Sequence, residues 1–286
     1  MKKTRMITRV IAAFAIVGAL FMISSCEQEA ETIELGYVLW DSEIASTHVV
    51  AAVIEDKLDK EVSLTAVDAG PMWMGVARGD FDAIVAAWLP VTHASYLEQT
   101  ENDIINLGPN LEGARLGWVV PSYVPVNSIE ELNDYAEEFD YEITGIDPGA
   151  GLMAASEKVM DDYELEEFRL VSGSDAAMTA ALRRAIEREE WIVVTGWTPH
   201  WKFAAFDLKY LEDPKLTLGE EEHIATIVNP DLEEKAPEVY EFLDNFYWSP
   251  DEMAEVMMLI ENGMEPMDAA KQWIAENPEK VEAWLN

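Results

Sequence analysis

Cysteine is nearly absent from this chain of 286 residues, which has one, Cys26. A disulfide framework is excluded, and with it a cysteine-built metal site. Basic residues are scarce too: 19 Lys and Arg stand against 56 Asp and Glu, for a net charge of −37. A surface of that sign repels phosphate backbones and anionic headgroups, which argues against nucleic acid as a partner. The 15 Gly and 13 Pro are too few and too scattered for a fibrous or low-complexity chain. The four His lack ligand spacing, so neither a metal nor a cofactor is expected. What is present is a composition 49% apolar and 10% aromatic, that of a folded protein held by its core alone.

The first residues carry a leader pattern. Lys2, Lys3, Arg5 and Arg9 precede an apolar or small run over 10–23, followed by Ser24-Ser25-Cys26. Fourteen residues at ~1.5 Å each cannot cross a hydrocarbon core of about 30 Å, so residues 1–25 read as a signal peptide rather than a permanent span. Ile23-Ser24-Ser25-Cys26 resembles the bacterial lipobox, which implies Cys26 as the lipidated first residue of the mature chain and 26–32 as a polar tether. Cleavage removes four cations and no acid, leaving −41. Heavily acidic surfaces suit salty surroundings, but net charge speaks to solubility and association rather than to fold.

From residue 33 onward, β-type runs alternate with amphipathic stretches, the pattern of an α/β protein with mainly parallel strands. Strands are expected over 33–39, 62–66, 83–87, 116–120, 142–146 and 191–195. Helices are expected over 49–58, capped by Ser46 or Thr47, and over 176–186, capped by Ser174; 236–285 is largely helical in pattern.

Three strands finish alike, in Trp40, Trp88 and Trp197, and the last two continue as Trp-X-Pro. Carboxyl edges of open α/β sheets are where ligands bind, so three indoles there suit a pocket better than a core. A cluster of indoles attracts a cation that donates no hydrogen bond, and methylated ammonium is such a guest. Asp41 follows Trp40, but strand alternation points it away from the indole. A fourth edge, Gly145-Ile-Asp-Pro-Gly-Ala-Gly151-Leu-Met153, places glycines before a helix, where free backbone N–H groups receive an anion. Pro148 interrupts it as a dinucleotide fingerprint, and a small carboxylate fits better than a pyrophosphate. His93 and His200 lie five and three residues beyond Trp88 and Trp197, within reach of the same edge, and an imidazole donates to a carboxylate. A cationic methylated end and an anionic end describe a betaine. Without a Gly-X-Ser-X-Gly elbow or metal signature, no enzyme is expected.

These stretches, together with Tyr37-Val-Leu-Trp-Asp-Ser-Glu-Ile-Ala-Ser-Thr-His48, Gly70-Pro-Met-Trp73, Ala87-Trp-Leu-Pro-Val-Thr-His93 and Val194-Thr-Gly-Trp-Thr-Pro-His-Trp201, resemble the substrate-binding proteins of ABC importers for glycine betaine. The resemblance runs over nearly the whole mature chain. It implies a two-lobed type II periplasmic-binding fold hinged over a cleft, with 33–114 plus 223–286 as one lobe and 115–222 as the other. It implies Trp40, Trp88 and Trp197 around the trimethylammonium, and His93 with the amides of Gly151 and Leu152 on the carboxylate. His200 matches the motif, and Trp73 and Trp201 support the walls. The implied function is capture of glycine betaine, or proline betaine, by a monomer lipid-anchored outside the cytoplasmic membrane, for delivery to a permease. Choline, carnitine or another quaternary amine is the alternative guest.

Overall fold

Ile33–Tyr37 (β1) opens the part of the chain described by the computed structural model, residues 32–286. The expectations for residues 1–25 and for Cys26 lie outside the described residues. β1 pairs in parallel with Val62–Ala66 (β2) and Ala83–Leu89 (β3). Every residue of β3 is buried, so it is a central strand, read in sequence as a continuous apolar run.

Asp41–Leu58 (α1) connects β1 to β2. Its residues from Val49 to Ile54 are fully buried, and a helix apolar on all sides must be enclosed. It packs on β3 and on Pro250–Glu261 (α9) and Pro266–Glu276 (α10). The helix starts well before the expected 49–58: Trp40 is its N-cap, while Ser46 and Thr47, expected as caps, lie inside it and are buried. β1 therefore ends at Tyr37 rather than at residue 39, and Asp41 is a helix residue to which strand alternation does not apply. Ala69–Arg78 (α2) and Ala94–Thr100 (α3) complete this region.

Ile105–Pro121 (β4) is much longer than the expected 116–120, because it serves two sheets in succession. Residues 105–114 pair antiparallel with Glu222–Val228 (β9), itself antiparallel to β3. Residues 115–119 pair antiparallel with Val193–Thr198 (β7), and 119–121 with Leu208–Tyr210 (β8). Beyond β7 lie Glu142–Thr144 (β5) and Arg169–Val171 (β6), both parallel. The strand order is β2-β1-β3-β9-β4-β7-β5-β6, with β8 beside β4. The sheet is mixed rather than mainly parallel, and its antiparallel pairs lie where the chain passes from one half to the other.

Gly151–Asp162 (α4) and Asp175–Glu187 (α5) cover the second half-sheet, and the Ser174 hydroxyl accepts the N–H of Ala177 as a cap, as the sequence led one to expect. After Lys202–Ala205 (α6), the C-terminal stretch is helical from Leu232–Lys235 (α7) and Pro237–Asn245 (α8) to Pro278–Trp284 (α11). α9 begins with a full capping box, Ser249 with Glu252.

Phe81 wedges between β1 and α2, and only glycine permits it. A Cβ on Gly36 or Gly75 would stand 2.5 or 2.4 Å from its ring. Gly75→Ala is expected to lower stability by about 1–3 kcal/mol through overpacking, measured by urea unfolding of the ligand-free protein.

Candidate functional site

Trp40 at the start of α1, Trp88 in β3 and Trp197 in β7 converge on one small cavity. Thr92, Leu116, Ile146, Ala150 and Leu152 complete its lining, so its walls are almost wholly apolar. The rings of Trp40 and Trp197 have centroids 6.4 Å apart and planes 55° apart, which leaves them as separate walls rather than a stack. All three are buried, the most exposed being Trp40 at 6%.

A buried indole N–H needs an acceptor, and each of these has one outside the cavity. Trp40 Nε1 donates to Asp147 Oδ2 at 3.0 Å, Trp88 Nε1 to Glu43 Oε1 at 2.8 Å, and Trp197 Nε1 to Ser42 Oγ at 3.1 Å. These bonds fix the orientation of the rings. Two of them join the half-sheets, as do Tyr96 Oη to the Gly149 carbonyl and the Asp41 N–H to Asp175 Oδ2. Gly151 meets Thr92 so closely that a Cβ there would stand 2.3 Å from the Thr92 carbonyl oxygen.

His93 is fully buried next to Trp40, 6.1 Å between ring centroids, and like Gly151 it stands beside the cavity-lining residues without being one of them. Its Nδ1 accepts the backbone N–H of Trp88 at 3.1 Å and the indole N–H of Trp73 at 3.4 Å. That fixes the proton on Nε2, and among the described residues Nε2 has no partner. Burial pushes the imidazole down to about 3, so it stays neutral and donates from Nε2. The N–H groups of Gly151 and Leu152, first and second in α4, have no intrahelical acceptor and take part in no backbone bond to a neighbouring loop. Three unpartnered donors thus stand at the start of α4 and in the loop it touches.

His200 sits differently. Both ring nitrogens are engaged: Nδ1 accepts the Lys202 N–H at 3.2 Å and Nε2 donates to Asp175 at 3.2 Å. Its ring stands edge-on against Trp197, 4.7 Å between centroids, so it supports that wall and does not line the cavity. Burial, with the Lys202 charge beside it, holds it down to about 4. Trp201 donates to Asp41, and Trp73 backs His93. Asp41, Asp175 and His200 bring ligand atoms within 4.8 Å of one another, a spacing that suits a metal ion. Those atoms already accept or donate within the protein, and the fully buried Lys202 supplies positive charge beside them, which opposes a second cation.

Sequence reasoning missed Ser42, Glu43, Asp147, Asp175 and Lys202. None follows from a strand-edge rule, since each acts behind the wall. The first two lie in a polar stretch that precedes the expected helix over 49–58. Lys202 is fully buried, its Nζ without a hydrogen-bond partner among the described residues and 4.2 Å from the Trp197 ring centroid, and burial pushes it down to about 7 against the Asp175 and Asp41 charges. Asp41 is raised to about 6 by burial and by Asp175.

A mixed α/β sheet shared between two lobes, with an indole-walled cavity where they meet, defines a type II periplasmic binding protein. The chain belongs to the family described as the substrate binding domain of the ABC-type glycine betaine transport system, which it matches over residues 31–276. It is similar to lactococcal OpuAC in its closed form with glycine betaine: 46% identity, 90% of this chain and 100% of that one, TM-score 0.85. The glycine/betaine/L-proline-binding protein ProX of Borrelia burgdorferi is 35% identical over 90% of this chain and 97% of its own, also at 0.85. The glycine betaine/carnitine transport binding protein GbuC of Listeria monocytogenes is 48% identical over 155 residues, 54% of this chain and 52% of GbuC, about half its length.

Glu43 sets a pH dependence of stability. Its carboxyl is fully buried and pushed up to about 7 by desolvation, against its bonds from Trp88, Ser46 and Ser42. Stability is therefore fully present below pH 4.5 and is lost as pH rises through about 7. Glu43→Gln removes the loss, so its unfolding free energy relative to wild type is expected to rise by on the order of 3 kcal/mol between pH 4.5 and pH 8, read by urea titration without ligand.

Proposed function

We propose that the protein is the extracytoplasmic binding component of an ABC importer and captures glycine betaine. The observation that carries this reading is the cavity itself, three indole walls beside three unpartnered donors. The trimethylammonium faces Trp40, Trp88 and Trp197, each contributing about 0.5–2 kcal/mol as a π-face. The carboxylate takes the Nε2–H of His93 and the amides of Gly151 and Leu152. His200 holds Trp197 in place and does not touch ligand.

Closure is part of binding. Trp88 and His93 come from one half-sheet, Trp197, Gly151 and Leu152 from the other, so only the closed form has both ends of the site. The switch of β4 from β9 to β7 at residues 114 and 115 supports lobes of 33–114 plus 223–286 and 115–222, with β4 and β9 in the hinge. A permease that recognises the closed form receives loaded protein. Residues 1–25 export the chain and Cys26 anchors it to the outer face of the membrane; among the described residues, no helix is long and apolar enough to cross one. Choline lacks a carboxylate and leaves His93, Gly151 and Leu152 without an acceptor, which ranks it below betaine.

Calorimetric titration of the chain lacking residues 1–26 is expected to show saturable glycine betaine binding with a change in indole fluorescence. Alanine in place of Trp40, Trp88 or Trp197 is expected to weaken it at least about ten-fold while the protein still melts cooperatively; loss of folding in all three variants would make them core residues. Gly151→Ala places a Cβ against the Thr92 carbonyl, and the expected result is loss of binding with an unchanged far-UV spectrum. In cells, Cys26→Ser is expected to release the protein from the membrane fraction; retention of the variant there would count against lipidation.

A further inference from the structure

Glu43 is the buried group that the binding reading does not use. It is the third residue of α1, fully buried, and its carboxylate accepts from Trp88 Nε1 at 2.8 Å. Ser42 Oγ, which receives the Trp197 N–H, donates to Oε1 at 3.5 Å, and Ser46 Oγ donates to Oε2 at 3.4 Å. Two of the three cage tryptophans therefore end on one dipeptide. The donors are an indole and two hydroxyls, all neutral. Among the described residues Glu43 forms no ion pair, and no charged neighbour contributes to its protonation balance. A buried carboxylate without a counter-cation is costly. Its position in the first turn of α1 supplies only the partial charge of the helix.

We propose that Glu43 is the counter-anion of the cage: bound to Trp88 and, through Ser42, to Trp197, it selects a cationic headgroup over a neutral one of the same shape. The inference rests on the betaine reading of the cavity and names what sets its preference for charge. A carboxylate on the indole N–H offsets the positive ring edge and leaves the π-face more negative toward the cavity. It also attracts the ligand cation directly, across protein rather than water. From other elements Trp88 in β3 bonds it directly and Trp197 in β7 reaches it through Ser42, and among the described residues no charged group contributes to its protonation. Asp41 precedes it on α1, and Asp175, His200 and Lys202 stand beyond Asp41. Glu43, Asp41 and Lys202 all lose protons between about pH 6 and pH 8. All three losses make the surroundings of the cage more negative, so a Glu43 variant is required to separate its share.

The test uses two ligands of one shape. Glycine betaine and 3,3-dimethylbutanoate differ in a single atom, a quaternary nitrogen in one and a carbon in the other, and both carry the carboxylate. Calorimetry at pH 8 is expected to show Glu43→Gln binding betaine roughly ten-fold more weakly or worse, with 3,3-dimethylbutanoate unchanged or tighter. In the wild-type protein the betaine preference is expected to grow from pH 6 to pH 8, and to grow less in Glu43→Gln. Equal losses for both ligands would make Glu43 a structural support and overturn the inference while leaving the betaine site in place. If the variant does not fold, the wild-type ratio decides: a preference that is constant with pH overturns the proposal. A wild-type protein that binds no betaine removes the reading beneath it, and the inference with it.

Discussion

The hydrogen bond from a buried indole N–H is the constraint on which this site depends. An indole can line an apolar cavity only if its one polar atom is satisfied elsewhere, and here each acceptor lies behind the wall. Four consecutive residues at the start of α1 organise this. Trp40 is itself a wall, Asp41 receives Trp201 and gives its own N–H to Asp175, Ser42 receives Trp197, and Glu43 receives Trp88. A helix N-terminus suits the task because its first residues are polar by preference and its carboxylates are favoured by the unsatisfied N–H groups. Trp197 in β7, Trp201 just after it and Asp175 at the start of α5 stand on the side of the second half-sheet, so the walls of the cage are aligned only when the halves meet.

That arrangement links recognition to closure without a separate device. The bonds from Trp40 to Asp147 and from Trp197 to Ser42 cross the cleft, and in an open form each indole would lose its acceptor to water. In the proposed reading, ligand adds what the closed form otherwise lacks, an acceptor for His93 Nε2 and a cation for the three faces. It therefore stabilises the closed state over the open one, as differential binding requires. Gly151 sets how near the halves approach, since α4 can deliver its amides only where no side chain holds it away from Thr92.

The sequence was most informative at the wall itself. Trp40, Trp88 and Trp197 were legible because each ends an apolar run, and His93 because it trails one of them. The Gly-rich turn before α4 was legible from its glycines. Less visible was everything that depends on long-range pairing. β4 reads as a short apolar strand because only residues 116–120 are continuously apolar; its first ten residues, with Gly108, Pro109 and Gly113, look like loop but pair irregularly with β9. α1 was placed too late because Asp41-Ser42-Glu43 resembles a loop preceding a cap, and its polar residues face partners more than a hundred positions away. His200 shares its strand-edge spacing with His93, and only the bonds at its two nitrogens set it apart, since both are engaged within the protein while His93 Nε2 has no partner among the described residues.

The acidity divides in the same way, between what is outside and what is enclosed. The excess of carboxylates lies mostly on the surface, where charge is screened by salt over about 10 Å at 0.1 M and less as salt rises. Betaine is neutral overall and is steered little by that field. The carboxylates that bear on the ligand are the few that are buried, and their effect does not pass through solvent. Glu43 and Asp41 lie within the protein and Lys202 lies beside them, so the local balance near the cage is set by three groups rather than by the net charge. Salt screens the surface charge but not these three enclosed groups, so protonation rather than salt sets the charge around the cage.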